Sequence, residues 1–325
     1  MLLDLFVTHY NEPWEVGRPG FDMLRNQRCV DWDNVRVTLV HDGTDPFPDE
    51  TFEGYPFSVR QVKLIHKGIA GTRNWCLDNA EAEWLKMNDF DDLFTSIYSL
   101  RSIMEGLENA KDFDLMWFDV YADMDGCRYL KDQRDPVVLH GKVFRTKFLR
   151  DHRLRFREDL TWCEDSAFLA VMEMEIDYQR IGKIIGDSPL YTWIHRVGSL
   201  CNRPEILYDN LQSFFRRHCY VAEEFRKRGH MDEYNTMIAR IMCDSYYTLV
   251  LAPVLQDKSK HEEMVYKYLT KHRAELLQVR AKAFEECIEA TNRENENCHC
   301  TKAEVLAWWR ELRAKYEGGE EECLT

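Results

Sequence analysis

The sequence lacks any run of about 18 uncharged apolar residues, the length that a helix needs to cross a bilayer. Its first eight residues also lack the basic stretch and the cleavage site of a secretory signal. We therefore expect a cytoplasmic protein without a transmembrane segment. Hydrophobic residues make up 45% of the 325 positions, which predicts a globular fold. The eleven cysteines, an odd number scattered along the chain, indicate reduced thiols rather than a disulfide framework.

Positive charge is also scarce, since 43 lysines and arginines face 57 aspartates and glutamates and the net charge is -14. Phosphate neutralisation supplies most non-specific nucleic-acid affinity, so this balance disfavours broad attachment to nucleic acid or to an anionic membrane. One segment is basic nevertheless and contains Arg145, Lys147, Arg150, Arg153, Arg155 and Arg157. It is either a solvated face or a surface for an anionic acceptor or diphosphate.

Several nucleotide and metal signatures are missing. No Gly-x-Gly-x-x-Gly follows the first apolar run, and no Gly-x-x-x-x-Gly-Lys-Ser/Thr occurs, which argues against dinucleotide and P-loop sites. The acidic segment 89–92 lacks the glycine and the distal glutamate of an EF-hand. Cys298-His299-Cys300 would suit zinc, but no second ligand pair stands at a suitable spacing, so we favour ordinary thiols.

The first 90 residues alternate between strand-like and helix-like patterns, which indicates an open α/β sheet. The predicted strands are 3–8, 35–40 and 58–65, followed by a fourth short strand before the acidic segment; the predicted helices are 23–28 and 72–85. Apolar runs at 115–120 and 137–139 are expected to extend the sheet. Ligands of such sheets bind beyond the carboxyl ends of the strands.

The pattern changes at about Pro204, which divides the chain into predicted domains at 1–203 and 204–325. Stretches 207–228, 231–251 and 262–290 have helical periodicity, few glycines and Pro253 as a breaker. A last helix is expected to start at Thr301, because Thr301 and Glu304 have the spacing of a capping box. Residues 318–325 are expected to form a frayed acidic tail.

Carboxylates follow three of the predicted strands, at Glu12, at Asp42 and at 89–92. They should meet at one crevice, because the carboxyl ends of parallel strands lie at one edge of a sheet. Aspartate oxygens are hard ligands that suit Mg²⁺ or Mn²⁺, and an ion held by few protein groups can also bind substrate phosphates. The alternative is that these acidic segments are solvated turns.

Four landmarks and three connecting pieces occur in a definite order. They are 7–12 (Val-Thr-His-Tyr-Asn-Glu), 41–45 (His-Asp-Gly-Thr-Asp), 89–92 (Asp-Phe-Asp-Asp) and 163–166 (Cys-Glu-Asp-Ser), with 67–74, 140–145 and 191–200 between and after them. This order resembles family 2 glycosyltransferases and covers roughly the first 200 residues. The resemblance implies a GT-A fold, an α/β, Rossmann-like mixed sheet flanked by helices, here with an all-helical C-terminal region.

The resemblance implies transfer of a sugar from a nucleotide diphosphate sugar, with a UDP-sugar favoured, to an acceptor hydroxyl. The donor would contact Thr8, Tyr10, Glu12, Asp42, Arg73, Asn74, Asp89 and Lys142. Mn²⁺ or Mg²⁺ would be held by Asp91 and Asp89, with His195 as a third ligand or phosphate contact.

The same resemblance implies an inverting reaction. Asp165 would act as the general base, and Glu164 would orient it or bind the acceptor. The alternative for this pair is a helix N-terminus, where acidic side chains are favourable. The chain departs from the family pattern twice, at His41, where an aspartate is usual, and at Phe90, where a small residue is usual.

The sequence is also compatible with other functions. A nucleotidyltransferase on a similar fold, or a non-catalytic module that binds a nucleotide sugar or a glycan, would share part of the pattern. The acceptor could be a surface-glycan precursor, a protein or a modified nucleobase in DNA. Trp308 and Trp309 offer a means of forming a homodimer, although buttressing of the catalytic domain is the simpler role for the helical region.

Overall fold

The computed structural model describes residues 1–124, 126–131, 138–160, 162–196, 207–252, 257–295 and 298–317. The chain separates into two compact units, residues 1–203 and 204–325. The first unit is α/β and the second is helical. The predicted tail at 318–325 and Pro253 lie outside the described residues, as does part of the segment 191–200.

A mixed seven-stranded sheet forms the centre of the first unit, in the order β10-β6-β9-β4-β1-β2-β3. Its strands are β1 (Leu3–His9), β2 (Val35–Asp42), β3 (Val59–Leu64), β4 (Trp84–Asp89), β6 (Leu115–Trp117), β9 (Lys142–Arg145) and β10 (Ile181–Lys183). Strands β1 to β4 run parallel to one another, and β9 runs antiparallel to β4 and β6. All seven residues of β1 are buried, as expected for a central strand that is covered on both faces.

A second sheet contains four short strands in the order β5-β11-β7-β8. They are β5 (Leu93–Phe94), β7 (Val120–Met124), β8 (Cys127–Lys131) and β11 (Tyr191–His195). The predicted strand at 115–120 is therefore divided between the two sheets. The strand expected at 137–139 was wrong for 138 and 139, which lie in a loop, and residue 137 is outside the described residues.

The described residues of this unit form five α-helices: α1 (Trp14–Arg25), α2 (Gly68–Asn79), α3 (Ser99–Glu108), α4 (Thr146–Asp151) and α5 (Glu164–Glu173). Helix α1 begins before the predicted helix at 23–28 and overlaps it at residues 23–25. The second ends before the predicted limit of residue 85, because Trp84 and Leu85 begin β4 and are fully buried beside β1. Apolar spacing does not distinguish such a buried strand from the continuation of a helix.

The register of the parallel strands determines which side chains meet at the carboxyl edge. Thr8 lies beside Asp89, and His9 lies beside His41.

At the opposite end of β1, the buried Asp4 accepts hydrogen bonds from Arg36 and from the backbone N–H groups of 81 and 82. This bidentate pair ties β1 to β2 and to the turn before β4.

Phe90, the bulky residue within the acidic segment, points away from the carboxylates into the layer below α1. It is 3% exposed and packs with Val7, Phe21 and Leu39. Alternation along the chain after β4 therefore places the ring in the core and its acidic neighbours at the crevice. Helix α1 passes directly over the ring at Gly17, where a Cβ would lie 2.2 Å from the Phe90 Cζ.

The second unit contains α6 (Leu207–Lys227), α7 (Met231–Tyr246), a π-helical turn at Tyr247–Leu251, α8 (Ser259–Lys271), α9 (Arg273–Leu276), α10 (Ala281–Glu294) and α11 (Lys302–Glu317). The predicted capping box is confirmed, because the Glu304 carboxylate accepts from the Thr301 N–H and the Thr301 hydroxyl accepts from the Glu304 N–H. The stretch 262–290 is divided among three helices. Trp309 is fully buried in the core of this unit.

Among the residues that the structure describes, no helix is both long enough and apolar enough to cross a membrane.

Gly17→Ala should destabilise the protein, since its Cβ would overlap the Phe90 ring. Overpacking of this kind costs about 1–3 kcal/mol, against about 1 kcal/mol gained in helix propensity, so we expect a net loss of up to about 2 kcal/mol. Urea unfolding measures it. The double variant Gly17→Ala with Phe90→Leu should lose less than the sum of the single losses. Additive losses would show that the two positions do not compete for the same space.

Candidate active site

The site is built around Asp89, the last residue of β4. One of its carboxylate oxygens accepts from the Thr8 hydroxyl at 3.3 Å and from the Arg73 guanidinium at 3.1 Å. The other oxygen lies 3.3 Å from the His140 Nε2. Burial favours the neutral acid, but the nearby Arg73 and His140 outweigh it and hold the pKa of Asp89 below its usual range. Asp89 is therefore ionised at neutral pH.

Arg73 joins the two acidic parts of the site. It lies in α2 and is 6% exposed. One guanidinium nitrogen donates to Asp89, and another donates to Glu164 at 2.6 Å. The residues joined in this way are 75 positions apart in the sequence. The guanidinium thus fixes the start of α5 against the carboxyl end of β4, as the rigid donor fork of arginine allows.

Asp92 and His140 form a more deeply buried group behind Asp89. The Asp92 carboxylate accepts from the Tyr191 hydroxyl at 3.0 Å and from the Ile194 N–H at 2.8 Å, which attaches the acidic loop to β11. The oxygen that accepts from Tyr191 also lies 3.4 Å from the His140 Nε2. One ligand atom from each of Asp89, Asp92 and His140 lies within 4.8 Å of the others. This donor set suits a divalent cation.

Asp91 faces a different partner. Its carboxylate pairs with the Arg196 guanidinium at 2.7 Å, and the same guanidinium lies 3.7 Å from the Glu12 carboxylate. Glu12 in turn accepts from the Tyr10 N–H at 3.0 Å. Arg196 therefore links the loop after β1 to the loop after β4. The side chains of Asp89 and Asp91 are 31% and 19% exposed, whereas that of Asp92 is fully buried.

The carboxyl ends of β1, β2 and β3 form a neighbouring part of the crevice. Tyr10 is 47% exposed and stacks on His66, with ring centroids 4.5 Å apart. His66 contacts the Asp42 carboxylate at 2.8 Å through Nδ1, and the Lys67 N–H donates to the same carboxylate. This provides an exposed aromatic face beside an ordered carboxylate, an arrangement that suits a planar base.

Glu164 and Asp165 occupy the first turn of α5, as the helix N-terminus interpretation predicts. Cys163, immediately before the helix, has a φ of 66°, a left-handed conformation that costs a non-glycine residue on the order of 1 kcal/mol. Burial raises the pKa of both carboxyl groups, while the charge of Arg73 opposes the rise. The charge of His140 also lowers the pKa of Asp165, and that of Asp89 raises it.

Three residues predicted at the site have other partners. The Asn74 amide holds the loop at 156–158 through the backbone of Phe156 and the carboxylate of Glu158. The Lys142 ammonium donates to the Val138 carbonyl at 2.6 Å. His195 ends β11 and packs edge-on against a neighbouring tryptophan ring at 5.6 Å, outside the group of Asp89, Asp92 and His140. The roles inferred for these three residues stay predictions.

The basic segment is neutralised by local partners, which favours the solvated-face interpretation. Arg145 pairs with Glu83 and lies over the Trp84 ring at 4.3 Å. Ion pairs also join Lys147 to Asp151, Arg155 to Asp78 and Arg157 to Asp159.

Sequence reasoning assigned no function to Lys86, which lies beneath the acidic loop. It is fully buried in β4, and its Nζ has no hydrogen-bond partner among the described residues. The ammonium lies 4.3 Å from the centre of the Tyr191 ring. Burial lowers the pKa of Lys86 to about 7, although Asp92 and Asp89 oppose that fall. A lysine inside an apolar strand run offers no sequence signal that separates it from a solvent-facing one.

The family model of glycosyl transferase family 2 matches residues 4–177, more than half of the 325 residues. The chain belongs to glycosyl transferase family 2. The resemblance inferred from the ordered motifs is thereby confirmed.

Two curated relatives of this family 2 member are glycan-related proteins. EpsH of Bacillus subtilis (strain 168), by its name a candidate glycosyltransferase, is 25% identical over 189 residues, which are 51% of this chain and 54% of EpsH. The teichoic acid poly(glycerol phosphate) polymerase of Staphylococcus epidermidis (strain RP62A) is 27% identical over 187 residues, 51% of this chain and 25% of the polymerase. The matches therefore span about half of EpsH and a quarter of the polymerase.

Solved structures confirm the GT-A fold of this family 2 chain. S. aureus TarS in complex with UDP-GlcNAc superposes with a TM-score of 0.67 at 16% identity, covering 99% of this chain and 93% of that one. The complex of TarS with UDP gives a TM-score of 0.63 at the same identity and coverage.

Arg73→Met should destabilise the protein by about 3–5 kcal/mol, because Asp89 and Glu164 would lose their shared buried cation. The pKa values of both carboxyl groups would rise in the folded variant. A carboxyl with a raised folded-state pKa loses stability as pH rises through its unfolded value, so the deficit should be larger at pH 8 than at pH 5.

The free energy of unfolding of both proteins at these two pH values measures this deficit. Arg101→Met, which breaks the exposed pair with Glu105 on α3, is the control and should cost less than about 1 kcal/mol. An Arg73 deficit that is independent of pH would contradict the assignment.

Proposed function

We propose that this protein transfers a sugar from a nucleotide diphosphate sugar to an acceptor hydroxyl, with inversion at the anomeric carbon. The observation that carries the proposal is the Arg73 bridge, which joins the Asp89 carboxylate to the Glu164-Asp165 pair in one crevice. Family membership supports glycosyl transfer in general. A UDP-sugar is the favoured donor, since the structurally similar TarS has been crystallised with UDP and with UDP-GlcNAc.

The nucleoside would lie at the carboxyl ends of β1 to β3. Tyr10 provides an exposed ring for stacking, and the Asp42 carboxylate is held in place by His66 and Lys67. Thr8 and Glu12 stand beside this surface. We assign Asn74 a positioning role, because both ends of its amide hold the loop at 156–158.

We propose that Asp89 and Asp91 hold Mn²⁺ or Mg²⁺. Their carboxylates are the more exposed members of the acidic segment, as an ion that also contacts substrate phosphates requires. When bound, the cation would neutralise the charge that develops on the leaving diphosphate. The fully buried Asp92 would support the loop through Tyr191 and Ile194. The group of Asp89, Asp92 and His140 is the competing ligand set.

Asp165 is the proposed general base, which would accept the proton of the attacking hydroxyl. One of its oxygens accepts from the Ser166 N–H at 2.8 Å, which orients the carboxylate. Glu164 is engaged by Arg73 and is therefore the less available of the two for proton transfer. The Glu164-Asp165 pair argues against a nucleotidyltransferase, which would need the cation but not this base. The acceptor, a cytoplasmic location and a homodimer remain predictions from the sequence.

Asp165→Asn should bind UDP as the unchanged protein does but lose transfer by about 10²–10⁴-fold, the usual contribution of a general base. The amide oxygen can still accept from Ser166, so the loop should keep its geometry. The measurement is UDP release from a panel of UDP-sugars with water as the acceptor, alongside calorimetric UDP binding. Asp159→Asn, at an exposed carboxylate paired with Arg157, is the control. Normal turnover by Asp165→Asn would exclude it as the base.

The metal ligands are distinguished by Asp91→Ala and Asp92→Asn. We expect UDP to bind more tightly with Mn²⁺ than with EDTA, and more tightly than the other nucleoside diphosphates. Asp91→Ala should remove most of the Mn²⁺ effect, while Asp92→Asn should retain it. If Asp92→Asn loses the Mn²⁺ effect and Asp91→Ala keeps it, the ion belongs to the buried group with His140. Absence of UDP binding under all conditions would count against the donor assignment.

A further inference from the structure

Two buried histidines meet directly beneath the donor edge of the crevice. His9 and His41 end neighbouring strands and are 2% and 0% exposed. Their Nδ1 atoms lie 2.9 Å apart. His41 stands where relatives usually have an aspartate, and neither histidine is used by the proposed reaction. A contact of this length between two ring nitrogens requires one proton between them.

The outer nitrogens of both rings are already committed as donors. The Nε2 of His9 lies 2.7 Å from the Glu12 carbonyl, which can only accept. The Nε2 of His41 lies 3.0 Å from the Gln61 Oε1. The Gln61 amide cannot be flipped without losing two hydrogen bonds, because its oxygen accepts from the Phe47 N–H and its nitrogen donates to the Phe47 carbonyl. Each Nε2 must therefore carry a proton.

A neutral imidazole has one N–H, and in both of these rings that N–H is at Nε2. Two neutral rings would then place two lone pairs face to face at 2.9 Å. Rotating either ring by 180° would put C–H groups at both contacts and lose both hydrogen bonds. The contacts are satisfied together only when the pair holds a third proton, shared between the two Nδ1 atoms, and carries one positive charge.

We propose that His9 and His41 share one proton and, through it, position the two loops that bind the nucleoside, so that donor binding requires the protonated pair. This inference rests on the proposed function for its effect on binding, but not for the shared proton itself. His9 holds the loop that carries Tyr10 and Glu12. His41 holds, through Gln61, the loop that follows Asp42.

The surroundings limit the pair to one positive charge. Phe47 and Phe90 pack against the His9 ring, with centroids 5.0 Å and 4.5 Å away, and β3 contributes the neutral Gln61. The Glu12 carboxylate lies 4.0 Å from the His9 Nε2 and can balance this charge. Burial, followed by the charge of His9, lowers the pKa of His41 to about 4, so the shared proton belongs mainly to the His9 ring and a second charge on the pair is opposed.

Two charged residues lie beside His41: Asp42 follows it in β2, and Lys63 is its partner in β3. Asp42 adjoins His41, but its carboxylate is engaged by His66 and by the Lys67 N–H. Lys63 on β3 pairs with Asp45 at the surface.

The shared proton gives donor binding a defined pH dependence. As pH rises through the pKa of the pair, the proton is lost and one ring must give up a loop contact to relieve the lone-pair repulsion. UDP affinity should therefore fall on the alkaline side, by at most tenfold per pH unit because one proton is linked to binding.

The decisive variants change His41. In His41→Asn the amide nitrogen takes the position of Nδ1 and donates to a neutral His9 without titrating, although the contact to Gln61 is lost. In His41→Gln the amide reaches Gln61 but leaves the His9 Nδ1 without its partner. The Asn variant tests the proton, and the Gln variant is the matched control for loss of the ring.

UDP affinity with Mn²⁺ is measured between pH 7 and pH 9 for all three proteins, and the ratio of variant to unchanged protein removes the pH dependence that the proteins share, including the titration of UDP. We expect the His41→Asn ratio to rise with pH and the His41→Gln protein to bind more weakly throughout. A His41→Asn ratio that is constant with pH would overturn the positioning role.

Histidine protonation is read independently by ¹⁵N-¹H correlation spectra of ¹⁵N-histidine protein without nucleotide, assigned with the two variants. We expect three ring N–H protons on His9 and His41 together, one of them far downfield, at neutral pH. Two neutral rings at neutral pH would overturn the proposal. If UDP does not bind at all, the proposed function fails, and these spectra still decide whether the proton is shared.

Discussion

The buried guanidinium of Arg73 is the interaction on which the rest of the site depends. The crevice gathers carboxylates from the end of β4 and from the start of α5, and in a partly desolvated space they would repel one another. Arg73 reaches both groups from α2 and fixes their separation before any substrate or cation arrives. Asp91 uses Arg196 in the same way. The acidic site is therefore held together by the protein's own cations.

The central parallel strands could be predicted from the sequence because each is a short apolar run that ends in polar residues. The capping box at Thr301 was predictable for a similar reason, since its hydrogen bonds are local. The boundary between α2 and β4 was not, because Trp84 and Leu85 continue an apolar spacing that suits both elements. Strand β9 was missed because its pairing with β4 and β6 joins segments that are distant in the chain.

The candidate site was predicted to the level of its motifs. The ordered carboxylates identified where chemistry should occur, because such residues follow the strands that converge at one edge. Their partners could not be predicted, since these are set by tertiary contacts: His140 approaches Asp89 from 51 residues away, and the Asn74 amide donates to the Phe156 carbonyl 82 residues away. The sequence shows His41 where an aspartate is usual in the family pattern. The role inferred for this histidine depends on its contact with His9, which only the structure shows.

The close passage of α1 over Phe90 has a consequence for how this chain can diverge. Phe90 lies between residues of the acidic segment, so any drift of its ring would move the carboxylates on either side. Gly17 leaves space for the ring, and Gly20 lets the helix approach the Asp92 carbonyl, where a Cβ would lie 2.4 Å away. Substitutions at these three positions are thus constrained jointly. Among descendants of this sequence, a smaller residue at 90 should precede or accompany a larger one at 17, leaving a record of covariation between a helix surface and the acidic loop after β4.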